Sequence, residues 1–271
     1  GQPWQGVKVF GQEINALTAS IARMNLYLNG VEDFSVVNAD TLEKPGFVDG
    51  SHLRKFDIVL ANPPYSIKQW NREKFMNDKW GRNFLGTPPQ GRADYAFFQH
   101  ILASIDKTGR CAILFPHGVL FRDEEQTMRK ELIKLDYLDC VIGLGPNLFF
   151  NASMEACIII CRKKKSSDRK GKVLFIDAKD EVTRKNAESY LEQHHIKKIV
   201  DAYNAFIDID GFAKVVDNAA ISSNRALISI QSYVVNSDNT QQYDYDESIK
   251  EWLNQSVFTH SQVNQFLNII E

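Results

Sequence analysis

The chain has 271 residues, 44% of them apolar, and a formal net charge of −2. That apolar share can fill the core of one large domain, or of one domain with an extension. No run approaches the roughly 18–20 apolar residues of a membrane span, no signal-peptide pattern is read, and the near-zero charge argues against a large autonomous nucleic-acid-binding face. A cytoplasmic protein without membrane contact is expected, relying on local basic patches or a basic partner wherever it meets nucleic acid.

Residues 7–11 (Val-Lys-Val-Phe-Gly) read as a strand, with Glu13 just past it. In nucleotide-binding α/β folds an acidic residue there accepts from ribose hydroxyls; the plainer alternative is a carboxylate favoured by the dipole of the following helix. That helix is predicted over residues 14–29, where Leu17, Ile21, Met24 and Leu28 recur at helical spacing and Gly30 supplies a stop. A short strand over 34–38 follows, then Asp40, Thr41 and Leu42 in a loop.

Residues 56–60 (Phe-Asp-Ile-Val-Leu) read as a buried strand of a parallel sheet, running into Ala61-Asn62-Pro63-Pro64-Tyr65. The end of such a strand faces the crevice where open α/β sheets bind ligands. Two prolines fix φ twice and remove two N–H donors, which leaves a stiff, acceptor-rich tetrapeptide with an aromatic face. It suits a planar –NH2 group. Asn62 and the Pro63 carbonyl can each accept one N–H, so the nitrogen pyramidalises and turns its lone pair toward an electrophile. Tyr65 would stack on a base taken out of the duplex. An ordinary Asn-Pro turn is the bland alternative.

Residues 66–91 show little periodicity and interleave Lys68, Arg72, Lys74, Lys79 and Arg82 with Trp70, Phe75, Trp80 and Phe84. Cations among aromatics suit phosphate contact and base stacking; a lid whose aromatics cap the core is the other reading. A helix is predicted over 93–105, a strand over 111–115 ending at His117, and a helix over 124–135. His117 is read as a loop histidine without catalytic duty. Strands are predicted over 137–144, 156–161 and 173–176, and a helix over 187–206 anchored by Tyr190, Leu191, Ile196, Ile199 and Val200. Arg162, Lys163, Lys164, Lys165, Arg169, Lys170 and Lys172 crowd a predicted solvated hairpin, with phosphate contact as the other reading. Cys111, Cys140, Cys157 and Cys161 all fall in apolar runs, as reduced core thiols do, and their spacing is not that of a zinc site. No metal is expected. From residue 236 the chain turns polar and acidic, with short helices predicted over 246–254 and 259–270 whose apolar spots suit docking on another subunit or, equally, packing on their own domain.

Asn62-Pro63-Pro64-Tyr65 resembles the catalytic motif of amino-group methyltransferases that use S-adenosylmethionine (SAM). The flanks narrow the likeness. Gly11-Gln12-Glu13-Ile14-Asn15, Ala22-Arg23-Met24-Asn25-Leu26, Asn38-Ala39-Asp40-Thr41-Leu42, the stretch from Ala93 to His100 and Gly118-Val119-Leu120-Phe121-Arg122 resemble modification (M) subunits of type I restriction-modification systems. That likeness implies a DNA adenine-N6 methyltransferase, with direct methyl transfer and a cytoplasmic complex with DNA, a specificity (S) subunit and a restriction (R) subunit. It implies Glu13 on the SAM ribose, Ile14 against the SAM adenine, and Asp40 with Thr41 and Leu42 around its amino group. It also makes Phe149 or Phe150 a second stacking aromatic, with core packing as the alternative. Ribosomal RNA or protein glutamine as acceptor, or a non-catalytic assembly module, are the competing functions.

The resemblance also implies an Asp/Asn-Pro-x-x-Gly-x-Gly type segment ahead of residue 1. No Gly-x-Gly precedes Glu13, and Gly143-Leu144-Gly145 falls on a different strand. The expected fold is therefore α/β: a Rossmann-like SAM-dependent methyltransferase sheet lacking its first strand, with helices on both faces. A truncated catalytic domain is expected over 1–165, and an extension with docking helices over 166–271. Either two strand edges stay open, or the strands ending at Glu13 and Asn62 pair, or another chain fills the gap.

Overall fold

A computed structural model describes residues 6–149, 155–185 and 188–235. Along the chain, β1 (Val9–Glu13) leads into α1 (Ala16–Leu28) and β2 (Phe34–Asn38). A small hairpin, β3 (Val48–Asp49) and β4 (His52–Leu53), precedes β5 (Phe56–Ala61). Then come α2 (Arg72–Met76), α3 (Asp94–Ser104), β6 (Ile105–Pro116), α4 (Gln126–Lys134), β7 (Leu138–Leu144) and β8 (Ala156–Arg162). β9 (Lys172–Ala178), β10 (Thr183–Lys185), β11 (Glu188–Tyr190), α5 (Gln193–Ala205), β12 (Ala213–Asp217) and α6 (Asn218–Ser223) complete the described elements.

The main sheet is mixed, in the order β12-β9-β7-β8-β6-β5. The β5–β6 and β7–β9 pairs are parallel; β8 runs antiparallel to both β6 and β7. Alternation along these strands creates two cores. Ile113, Phe115, Cys157, Ile159 and Phe175 face Phe98, Leu102 and Leu132 of α3 and α4 in one. Cys140, Ile142, Leu174 and Ile176 face Ile199 and Ala202 of α5 in the other. Helices thus lie on both faces, as expected, and the four cysteines are buried, unpaired thiols.

The sheet does not stop at residue 165. β9 and β12 extend it on the far side of β7, and one compact unit runs to Val234. The boundary expected at 165 therefore falls inside a sheet whose ladder continues through it. The helices expected over 246–254 and 259–270 lie outside the described residues.

β1 and β2 form a separate parallel pair, joined from Val9↔Phe34 to Glu13↔Asn38. Among the described residues β1 pairs only with β2, and β5 only with β6. Direct pairing of the strands ending at Glu13 and Asn62, one of the three possibilities, is not found among the described residues. The lower ends of the two sheets meet through aromatic rings: Phe10, Phe47 and Phe56 lie 5.2–6.0 Å apart, with the Arg54 guanidinium 4.5 Å from Phe10. Consequently β5, expected as a buried strand, is an edge, and its Leu60 is 77% exposed. The helical stripe of α1 is likewise bare: Leu17, Ile21, Met24 and Leu28 are all more than half exposed, and Ala19 alone is buried.

The helix predicted over 187–206 is shorter. Glu188–Tyr190 pairs with Thr183–Lys185 as a hairpin, and α5 begins only at Gln193, where the Glu192 N–H donates to His195 Nδ1. Its inward residues are His195, Ile199 and Ala202, whereas Tyr190, Ile196 and Val200 are exposed.

The basic cluster is not a solvated hairpin. Asp139, fully buried, accepts from Arg162, Arg169 and the Tyr203 hydroxyl. Lys165 is buried against Asp136, and Lys163 donates to the Ile105 carbonyl. Four of the seven cations are consumed inside the fold: three by two aspartates, invisible to a local charge count, that approach from β7 and the turn before it, and Lys163 by a backbone carbonyl.

Candidate active site

Asn62, Pro63, Pro64 and Tyr65 leave the open end of β5. Pro63 is buried, while Asn62 and Pro64 are exposed and Tyr65 is half-buried. The Tyr65 hydroxyl donates to Asn62 Oδ1 at 2.9 Å. An amide oxygen has two lone pairs, so one remains for a ligand N–H while the tyrosine fixes which way the amide faces. Burial, with Cys157 and Asp94 adding to it, pushes the Tyr65 phenol further above its ordinary range, so it stays a donor.

The expected cofactor residues sit at the ends of the small sheet. The Glu13 carbonyl accepts from the Ala39 N–H, which brings the ends of β1 and β2 side by side. One Glu13 carboxylate oxygen accepts from the Asn15 N–H at 2.7 Å, and Asn15 in turn caps α1 through Thr18. Ile14 is 65% exposed, a bare apolar side chain beside that carboxylate. Asp40 Oδ1 accepts from the Leu42 and Glu43 N–H groups, which tightens its loop. Gln12 knits the same loop: its amide donates to the Ala39 and Lys44 carbonyls and accepts from the Gly46 N–H. Leu42 packs into a small core with Ile67, Phe75, Ala93 and Ala96. Through that core the loop after β2 and the segment after Tyr65 share one support.

The expected DNA contacts divide. Arg82 is removed from the surface: it is 1% exposed and pairs with Asp78 at 2.6 Å. It also donates to the Thr41 and Leu42 carbonyls and stacks over Phe75 and Trp80. Burial pushes the Asp78 carboxyl up, but the hydrogen bonds and charge of Arg82 outweigh it and hold Asp78 below its ordinary range. His100, beside Arg82, is pushed down to about 3 by burial and by the guanidinium, and so remains a neutral acceptor. Arg72 donates to the Pro88 carbonyl and Lys74 pairs with Glu43. Lys68 and Lys79 stay exposed, with Lys79 lying 4.4 Å from the Trp80 ring. Residues 66–91 thus form an ordered strap, fastened to the loop after β2.

Phe149 is partly buried against the α5-side core, and Phe150 lies outside the described residues. His117 bridges the Ala156 carbonyl and Glu155.

The family model described as N-6 DNA Methylase matches residues 2–242. The chain belongs to the N-6 DNA methylase family. It is 35% identical to the type I restriction enzyme MpnII methylase subunit of Mycoplasma pneumoniae, over 94% of this chain and 46% of that protein. It is 34% identical to the HindI methylase subunit of Haemophilus influenzae, over 83% of this chain and 49% of that one. A crystal structure of a type I restriction-modification methyltransferase subunit from Streptococcus thermophilus superposes with a TM-score of 0.77 at 38% identity, covering 83% of this chain and 48% of that one. The chain therefore spans about half the length of these family members. Gln12 and Arg82 organise the loop after β2, which no local pattern reveals because their partners lie some 27 to 41 residues away in sequence.

Proposed function

We propose that this chain carries the amine-binding half of a SAM-dependent DNA adenine-N6 methyltransferase, acting as the M subunit of a type I restriction-modification system. The observation that carries the reading is Asn62, exposed at the end of β5, with its amide oriented by Tyr65. The free lone pair of Asn62 Oδ1 and the Pro63 carbonyl each take one N–H of a flipped adenine, and the Tyr65 ring lies on its face. Both acceptors gain strength as the nitrogen becomes positive, so they favour the transition state over the ground state. The surplus proton leaves to solvent.

The residues present fit the adenosine end of SAM. Glu13 meets the ribose, the bare Ile14 side chain covers one face of the adenine, and Asp40, with Thr41 and Leu42 shaping its loop, accepts from the adenine amino group. SAM would supply an electrophilic methyl group. The methionine end finds no glycine-rich loop among these residues, and we assign that loop, with the strand leading into it, to polypeptide outside them. Such a strand could pair with β1 or β5, each of which has one unpaired edge among the described residues. Lys68 and Lys79 serve as phosphate contacts, while an S subunit selects the sequence and an R subunit completes the complex.

The test is tritium transfer from labelled SAM onto duplex DNA, RNA and protein by the full-length protein with its partners. DNA alone should be labelled, and Asn62→Ala should abolish labelling while complex formation persists. Labelling of RNA or protein, or activity retained in Asn62→Ala, refutes the assignment.

A further inference from the structure

Two of the segments that carry the family likeness, around Asp94 and around Arg122, have no role in the chemistry above. They meet directly behind the amine-binding tetrapeptide. Ser66, the residue after Tyr65, has a φ of 49°, a left-handed conformation that a non-glycine residue adopts only when its surroundings impose it. Its N–H donates to Asp94 Oδ1 at 2.7 Å, and its hydroxyl to Oδ2 at 3.3 Å. Asp94 is fully buried in the first turn of α3. Its Oδ2 accepts from Arg122 Nη1 at 2.8 Å. The guanidinium lies flat against Gly118, where a Cβ would come within 2.4–2.6 Å of it. One residue on, the Ile67 carbonyl accepts from the Ala93 N–H.

We propose that Asp94 and Arg122 are positioning residues for methyl transfer: they lock Ser66 in its left-handed turn and thereby aim Asn62 and the Pro63 carbonyl at the amine. The inference rests on the catalytic reading of Asn62 to Tyr65. The tetrapeptide is fixed at one end by β5 and at the other by Ser66, and two prolines transmit the setting between them. A carboxylate buried without a cation would be costly, so Arg122 is the partner that lets Asp94 sit behind the turn and accept from Ser66. Neither side chain touches the substrate.

The test uses the full-length protein in its native complex, measuring kcat, KM for DNA, SAM affinity and the fluorescence of 2-aminopurine at the target adenine. Asp94→Asn and Arg122→Gln should lower kcat by about 100-fold, the scale of an ångström-sized misplacement. SAM affinity and the flipped-base fluorescence should stay within about twofold. Ser66→Gly, which keeps the N–H and adopts positive φ freely, should retain kcat, whereas β-branched Ser66→Val should lose it. An unchanged kcat in a folded Asp94→Asn or Ser66→Val protein overturns the proposal. So does a loss shared equally by kcat, SAM affinity and thermal stability, which is the mark of a purely structural pair. Activity retained in Asn62→Ala would instead remove the catalytic reading and this proposal together; an inactive Asn62→Ala beside a fully active Asp94→Asn removes this proposal alone.

Discussion

Arg72 and Arg82 stand ten positions apart in a stretch that reads as one run of cations and aromatics, yet the fold uses them differently. Arg72 spends a donor on a carbonyl of its own strap, while Arg82 is a buried clamp between the strap and the loop after β2. Removing one partner of a buried, hydrogen-bonded ion pair leaves the other uncompensated, which costs about 3–5 kcal/mol. Arg82→Met should therefore lower the unfolding free energy obtained from urea titration by that scale, and Arg82→Met with Asp78→Leu should recover most of it. Tyr65 separates its two duties by mutation. Tyr65→Phe keeps the ring and loses the hydrogen bond that turns Asn62, so kcat for DNA methylation should fall by about tenfold, the value of roughly 1.4 kcal/mol at the transition state. Tyr65→Ala should cost far more and abolish 2-aminopurine stacking signals.

Among the elements, the short 3-10 turn before α4 holds a titrating group. Glu125 is fully buried, neither carboxyl oxygen has a hydrogen-bond partner among the described residues, and the Arg122 guanidinium stands 3.6 Å away. Burial pushes its carboxyl up to about 7, against the pull of Arg122 and with the help of Asp94. The folded state thus binds this proton more tightly than the unfolded chain. The stabilisation is complete below pH 4.5 and is lost as pH rises through 7. Glu125→Gln should match the parent at pH 4 and exceed its stability at pH 8 by about 3 kcal/mol, measured by urea unfolding across that window. Helix α1 shows how periodicity and burial part company. Leu17, Ile21, Met24 and Leu28 predict the helix correctly, because the 3.6-residue period and the Asn15 cap are local. They do not predict burial here, since the surface they would cover is not among the described residues.

On the scale of the whole molecule, the bare stripe of α1 and the exposed Ile58 and Leu60 of β5 accompany two strand edges, of β1 and β5, that are unpaired among the described residues. Burying each of the four α1 side chains would be worth about 1.5–3 kcal/mol, too much for a surface meant to face water. Open edges and bare apolar faces favour association. The isolated 271-residue chain should therefore self-associate with rising concentration in analytical ultracentrifugation. In isothermal titration it should bind SAM weakly or not at all; micromolar affinity would contradict the assignment of the missing strand to polypeptide outside these residues.

Local chemistry alone determined most elements of the fold. Apolar periods placed most of the strands and helices, and the stiffness of two prolines after an apolar strand marked Asn62 to Tyr65 as the candidate site. Tertiary structure decided which charges remain on the surface and which edges remain unpaired. Asp139 drawing in Arg162 and Arg169, Asp94 reaching back to Ser66, and β5 ending a sheet all depend on contacts between residues far apart in the chain. No local pattern encodes such contacts, because a charge or a strand edge has the same local sequence whether its partner is water or protein.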